Sequence, residues 1–215
     1  MIDNAVFGVS PAEAAAMDPQ QRLLLEHGYS ALHDSCLERA ALGGSLTGVF
    51  VGIASTEFAQ VLASTPAGGS VYAATGSALS IASGRLSYAL GLHGPCVSYE
   101  TACSAALAAC HGGLRAVQLD ECTAGLVAGV NLLLAPGSSV AFAIAGMTSL
   151  RGRCHTFDSR ADGYARAEAC GAVTLQLARG SKGLLWLQGS AVRQDGCSAS
   201  LTAPNGQAQR GLLEA

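Results

Sequence analysis

Two hydrophobic periods alternate along the chain. In PQQRLLLEHGYSAL the leucines and small residues recur every three to four positions, which predicts a helix over residues 19–32. Cap signals precede it. Ser10-Pro11-Ala12-Glu13 reads as a capping box, with Ser10 as N-cap, Pro11 at the first helical position and Glu13 reaching back, and Asp18-Pro19 repeats the cap-then-proline signal. GVFVGI, residues 48–53, is a continuous apolar run bounded by glycines and predicts a strand covered on both faces. SALSIASGRLSYAL, residues 77–90, predicts a second long helix despite Gly84. CVSYE, AGLVAGV, GAVTLQL and LLWLQGSAV are further strand candidates. Strands alternating with helices imply an α/β layered fold with a largely parallel sheet. No linker, repeat or low-complexity tract interrupts the pattern, so a single domain is expected.

One stretch calls for a membrane test, because residues 122–150 carry no charge and are long enough to span a bilayer. The stretch is broken, however, by Asn131, Pro136, four glycines and a Ser-Ser pair. Its apolar content falls in two short blocks, AGLVAGVNLLL and VAFAIAG. That pattern predicts a buried strand, a turn at Pro136-Gly137 and a second buried element, with no membrane insertion.

Composition narrows the class. Half of the 215 residues are hydrophobic and 13% are charged, which excludes a disordered chain or a charged tail. The net charge of -3, with no Lys/Arg cluster, leaves no footprint for nucleic acid. The eight cysteines (36, 96, 103, 110, 122, 154, 170 and 197) are scattered through an apolar chain without a secretory signal. They are expected to be buried free thiols in a protein of the cytoplasm or an organellar stroma, not a secreted one. No C-x-x-C or histidine pair points to a metal, and none is expected.

The candidate chemistry sits in SYETACSAAL, residues 98–107. An extended run ends near Glu100, Thr101 and Ala102 form a tight turn, and SAALAACHGGLRAVQ continues as a helix from Ser104. Cys103 then lies on a strand-to-helix elbow. Helix N-termini offer unpaired N–H groups and partial positive charge, a setting that favours anions and can hold an oxyanion on an acyl adduct. From the residues alone, two readings stay open: a small core thiol among alanines, or a nucleophile.

The same segment resembles the active-site segment of β-ketoacyl synthases, whose pattern is close to D-T-A-C-S-S-S-L. Other segments resemble the ketosynthase domain of type I polyketide synthases in the same order: FGVSPAEAAAMDPQQRLLLE (7–26), ATGSALSIASGRLSYALGLHGP (74–95), LVAGVNLLLAP (126–136), GRCHTFDSRADGYARAEACGAV (152–173) and GSAVRQDGCSASLTAPNGQAQ (189–209). The resemblance covers nearly the whole chain. It implies a thiolase-like layered α-β-α-β-α fold, here incomplete, with the nucleophile half and part of the connection to the second half. It also implies acyl-chain elongation by decarboxylative Claisen condensation, with Cys103 as the nucleophile that takes an acyl group from an acyl carrier protein. Substrates would arrive on the carrier's phosphopantetheine, with no cofactor bound directly. The protein would be a homodimer in which the strand before Cys103 pairs with its symmetry mate. Thr202, in SLTAPNG, would line the entry tunnel and hydrogen-bond the phosphopantetheine arm; the alternative is that it braces a turn at Pro204-Asn205-Gly206.

The departures from the family also carry weight. The two family histidines, in H-G-T-G-T and N-x-G-H motifs, are absent, as are a lysine and a glycine-rich segment bearing the second oxyanion donor. The usual first strand is missing too. His27, His33, His93 and His155 fall where the family varies or has other residues, and His111 falls where it often has a packed histidine. Ala167 and Ala169 stand where the family usually has glycines, and LARGSKGLLW makes a short connection. Residues 1–215 are therefore expected to be a partial ketosynthase domain, competent at most for acyl loading. The alternative is a non-catalytic remnant that acts as a structural or carrier-binding partner.

Overall fold

The computed structural model describes residues 4–178 and 185–215. Its contacts divide the chain into two compact units, Met1–Gln176 and Leu177–Ala215. In the first unit the elements run α1 (Pro11–Ala16), α2 (Pro19–Asp34), α3 (Arg39–Leu42), β1 (Thr47–Gly52), α4 (Glu57–Ala63), α5 (Ala73–Ser77), α6 (Leu79–Leu90), β2 (Cys96–Tyr99), α7 (Ala105–Gln118), β3 (Ala124–Asn131), α8 (Pro136–Ile144) and β4 (Ala169–Gln176). The second unit carries α9 (Gly206–Leu213).

Both expected caps form. The Ser10 hydroxyl accepts the Glu13 N–H at 3.1 Å, and the Asp18 carboxylate accepts the Gln20 N–H at 2.8 Å, each ahead of a proline that opens the helix. The capping box is only half made, because the Glu13 carboxylate turns away to pair with Arg85 of α6. Arg85 is buried and also donates to Gln21 Oε1 at 2.7 Å, so its charge takes the nearest carboxylate.

The sheet order is β2-β1-β3-β4, with β1 parallel to both β2 and β3 and β4 antiparallel to β3. The run expected at 48–53 forms β1, one of the two inner strands, and all six residues of β1 are buried. Its side chains serve two cores. Val49 and Val51, with Leu126, Ala128 and Val130 of β3, face α2 and α6 at Leu24, Leu25, Leu32, Ala82, Leu86 and Leu90. Phe50 and Val127 face α7 at Ala109, Ala116 and Val117. A strand covered on both sides needs apolar residues at every position, hence the unbroken run. The result is helix, sheet, helix: one sheet of the layered arrangement with both of its helical coats.

Three expectations are corrected. Residues 185–192 of LLWLQGSAV form no strand, while Leu184 lies outside the described residues. Pro136 opens helix α8 instead of a turn, as its fixed φ and missing N–H suit a first helical position, and α8 has no buried residue. All eight cysteines are free, but only Cys122 is buried; Cys110 and Cys170 are half-buried, and Cys36, Cys96, Cys103, Cys154 and Cys197 are exposed. Thiols in a mostly apolar chain still reach the surface when they fall in turns and on an edge strand. The uncharged stretch divides into β3 and α8, and among the described residues no helix is long and apolar enough to cross a membrane.

Candidate active site

The elbow forms where the sequence places it. After β2 ends at Tyr99, Ala102 takes a φ of 52°, the left-handed region that costs a non-glycine residue about 1–2 kcal/mol. A 3-10 turn over Ala102–Ser104 then leads into α7. Ser104 braces the turn. Its N–H donates to the Thr101 carbonyl at 3.2 Å, and its hydroxyl lies 2.8 Å from that carbonyl and 2.9 Å from the Thr101 hydroxyl. Cys103 sits in the middle of this turn as an exposed free thiol at the start of a 14-residue helix.

What supports the elbow is a close approach of backbones. A Cβ added at Gly52, the last residue of β1, would collide with the Ala106 backbone, and one at Gly129 in β3 would lie 2.8 Å from the Ala106 side chain. The first turn of α7 therefore rests on the C-terminal ends of both strands. Further along, Gly113 approaches Val127 and Phe50 in the same way. The small residues after Cys103 are the ones such a contact admits. Tyr99 lays its ring across α7 with its hydroxyl against Gly112, and partial burial pushes its hydroxyl pKa up.

A second polar cluster lies at the same edge of the sheet. Glu57, at the start of α4, has a side chain only 4% exposed. It accepts the N–H groups of Leu134 at 2.7 Å and Ala135 at 2.9 Å, and faces the Arg166 guanidinium at 3.5 Å. Arg166 also reaches the Ser139 hydroxyl and stands 5.2 Å from the centre of the Phe142 ring. Desolvation pushes the Glu57 carboxyl upward, but the Ala135 N–H, the Ser138 hydroxyl, the Leu134 N–H and the Arg166 charge together hold it below its usual range. The sequence reading missed this cluster. Its one local signal is a carboxylate five residues past a fully buried strand.

His111 and Thr202 are the other candidate residues. His111 lies eight residues beyond Cys103 on α7, about 12 Å of axial rise, which is out of hydrogen-bond reach. Thr202 belongs to the second unit, exposed in the turn that leads to α9. In that turn Asn205 caps α9 by accepting the N–H groups of Gln207 and Ala208, and its own N–H donates to Asp195. Among the described residues, no group of three or more His, Cys, Asp or Glu side chains is placed to hold a metal.

A largely parallel sheet between helices, with a cysteine presented at a strand-to-helix elbow, defines an α/β protein with one candidate nucleophile at that elbow. Residues 1–179 match the family model described as Beta-ketoacyl synthase, N-terminal domain. The chain is 44% identical over 98% of its length to a phenolphthiocerol/phthiocerol polyketide synthase of Mycobacterium tuberculosis. It is 42% identical, again over 98%, to the spectinabilin polyketide synthase system protein NorC of Streptomyces orinoci. A solved ketosynthase from module 6 of the bacillaene synthase of Bacillus subtilis 168 superposes with a TM-score of 0.88 at 32% identity, over 99% of this chain and 38% of that one. The chain belongs to the β-ketoacyl synthase family. It spans 10% of the length of each of those two polyketide synthases.

The Glu57 cluster has a pH signature. A folded-state pKa held below the unfolded value of 4.5 means that the contribution is fully present above about pH 4.5–5 and is lost as pH falls through the folded pKa. In urea unfolding, the stability gap between the chain and its Glu57→Gln variant should be widest near neutrality and shrink on acidification. A gap that stays constant down to about pH 3 would contradict this account.

Proposed function

We propose that residues 1–215 are the nucleophile-bearing part of a ketosynthase domain and that Cys103 accepts an acyl group from a thioester on the phosphopantetheine arm of an acyl carrier protein. The observation that carries this reading is the position of Cys103: exposed, free, and held on a braced elbow at the N-terminus of α7. The Cys103 sulfur, as thiolate, attacks the thioester carbonyl carbon. The carbonyl oxygen takes the negative charge in a tetrahedral intermediate, next to the Cys103 N–H and the uncapped start of α7. Collapse breaks the bond to the pantetheine sulfur, which leaves and takes a proton, so one thioester replaces another. The polyketide synthase relatives support the carrier-bound substrate. Condensation asks for more than this chain provides, since none of its five histidines lies in an H-G-T-G-T or N-x-G-H motif.

Intact-mass analysis after incubation with an acyl thioester tests the loading step. One acyl increment is expected, mapping to the Cys103 peptide and abolished by Cys103→Ala. With malonyl carrier protein added, β-ketoacyl product is expected only when a separate C-terminal ketosynthase half is supplied. No acylation in folded protein would turn the reading to the non-catalytic partner, and product from the chain alone would refute the condensation statement.

Homodimer formation is the second element of the proposal. Strand β2 lies at the sheet edge with Cys96 and Val97 exposed, and among the described residues no strand pairs with its outer side. Pairing with β2 of a second copy would occupy that side. Light scattering at micromolar concentration should give twice the mass of the chain, and a monomer with native circular dichroism would sink the idea.

Thr202 is assigned to the phosphopantetheine arm. Its exposure on the turn before α9 is compatible with that role, and Asn205 already performs the local capping that the turn needs. Thr202→Val should slow transfer from an acyl carrier protein more than transfer from a short free thioester. Equal effects on both would return Thr202 to a bracing role.

A further inference from the structure

Strands β1 and β3 leave the sheet at the edge where Gly52 and Gly129 carry the first turn of α7. The segments that follow them are joined by one carboxylate. Glu57, just past β1, accepts the N–H groups of Leu134 and Ala135, just past β3, while the Ser55 hydroxyl donates to the Leu132 carbonyl at 3.4 Å. Ala135 is the N-cap residue of α8 and has no side chain with which to cap it. Glu57 supplies the acceptor from another element, with the Ser138 hydroxyl as a further donor. Arg166 closes the far side through its ion pair to Glu57, its bond to Ser139 and its seat over Phe142. A serine at position 135 would cap the helix without burying any charge. Burying a carboxylate and a guanidinium instead carries a desolvation cost, and what it secures is the geometry of two segments at once.

We propose that Glu57, paired with Arg166, is a positioning residue for Cys103. The ladder pairs Gly52 with Gly129, and by tying together the segments that follow the two strands the ion pair keeps that floor under Ala105 and Ala106 from shifting, which holds Ala102 in its left-handed conformation and Cys103 at the mouth of α7. The inference rests on the reading of Cys103 as the acyl acceptor. It has a separate readout in thiol reactivity.

The experiment labels the whole chain with a limiting amount of iodoacetamide and maps Cys103 against Cys36, an exposed thiol beyond the end of α2. Glu57→Gln should lower the Cys103:Cys36 labelling ratio about tenfold, because a shifted elbow takes the thiol away from the N–H groups at the start of α7 and changes its access. Arg166→Lys, which keeps the charge, should stay within about threefold of the parent. Leu32→Val, a core change in α2 well away from the elbow in sequence, serves as the stability control and should leave the ratio unchanged. Should Glu57→Gln fail to fold, Ser138→Ala removes one donor with the ion pair intact and should lower the ratio about threefold. A ratio unchanged in the folded Glu57 variant, or in Ser138→Ala where that stands in for it, overturns the proposal. So does an equal fall in the Leu32 control. In parallel, the parent chain is incubated with hexanoyl-N-acetylcysteamine. No acyl increment, with the labelling fall retained, would defeat the acyl-acceptor reading alone; acylation with an unchanged ratio would defeat the positioning role alone.

Discussion

The contact on which the site depends is the one between the first turn of α7 and the backbones of β1 and β3. At Gly52 and Gly129 there is no space for a side chain, so the helix axis sits as low on the sheet as main-chain atoms allow. This places the elbow above two strand ends at once and removes the freedom a larger residue would introduce. It also explains the run of alanines after Cys103, since any larger side chain facing the sheet would lift the helix. The strain at Ala102 is then the local cost of turning so sharply. The two Ser104 side-chain contacts and its N–H bond, each worth about 0.5–1.5 kcal/mol, are of the size needed to offset it.

Around that contact, buried polar groups fix segments that have little regular structure of their own. Gln21 donates to the carbonyls of Thr75, Gly76 and Ala78, holding the break between α5 and α6 against α2. Arg85 joins Gln21 to Glu13, and so fastens α1 to α6. The Asp18 carboxyl is raised by desolvation, against the opposing pull of its Gln20 bonds, because its cap is made inside the protein and not at the surface. Glu57 and Arg166 do for the segments after β1 and β3 what Gln21 and Arg85 do for α1 and α5. Apolar packing is tolerant of small slides, whereas a bidentate or multi-donor site accepts one register.

The split between what could and could not be read from the sequence follows the range of the interactions. Helix α2, strand β1, helix α6 and the elbow rest on local signals: proline caps, an unbroken apolar run, and small residues following a strand. The family was legible in its long motifs, and the matched relatives bear it out. Failures came where the deciding partner is distant. Glu13 is three residues from Ser10 and fits a capping box, but Arg85, 72 residues away, takes its carboxylate. Glu57 shows nothing locally of Leu134, Ala135 or Arg166. VAFAIAG has the composition of a buried element and forms a helix with no buried residue, because burial depends on what packs against a segment and not on its hydropathy. Cysteine exposure was misjudged for the same reason.

The nucleophile candidate stands next to the least supported strand of the sheet. β2 is four residues long and has one sheet neighbour, so its ladder to β1 is half of what a central strand would have. What compensates comes from below and behind: Ser83 of α6 meets Ser98 of β2, hydroxyl to hydroxyl at 2.9 Å, and Tyr99 is trapped against Gly112 of α7. Sites are commonly drawn from the low-stability end of a structure, where access and adjustment are possible. Here every element touching β2 is itself packed on β1, β1 is paired to β3 up to Gly52 and Gly129, and the segments that follow those two strands are joined through Glu57. A thiol just beyond a short edge strand thus stays exposed while the turn that carries it rests on the two inner strands of the sheet.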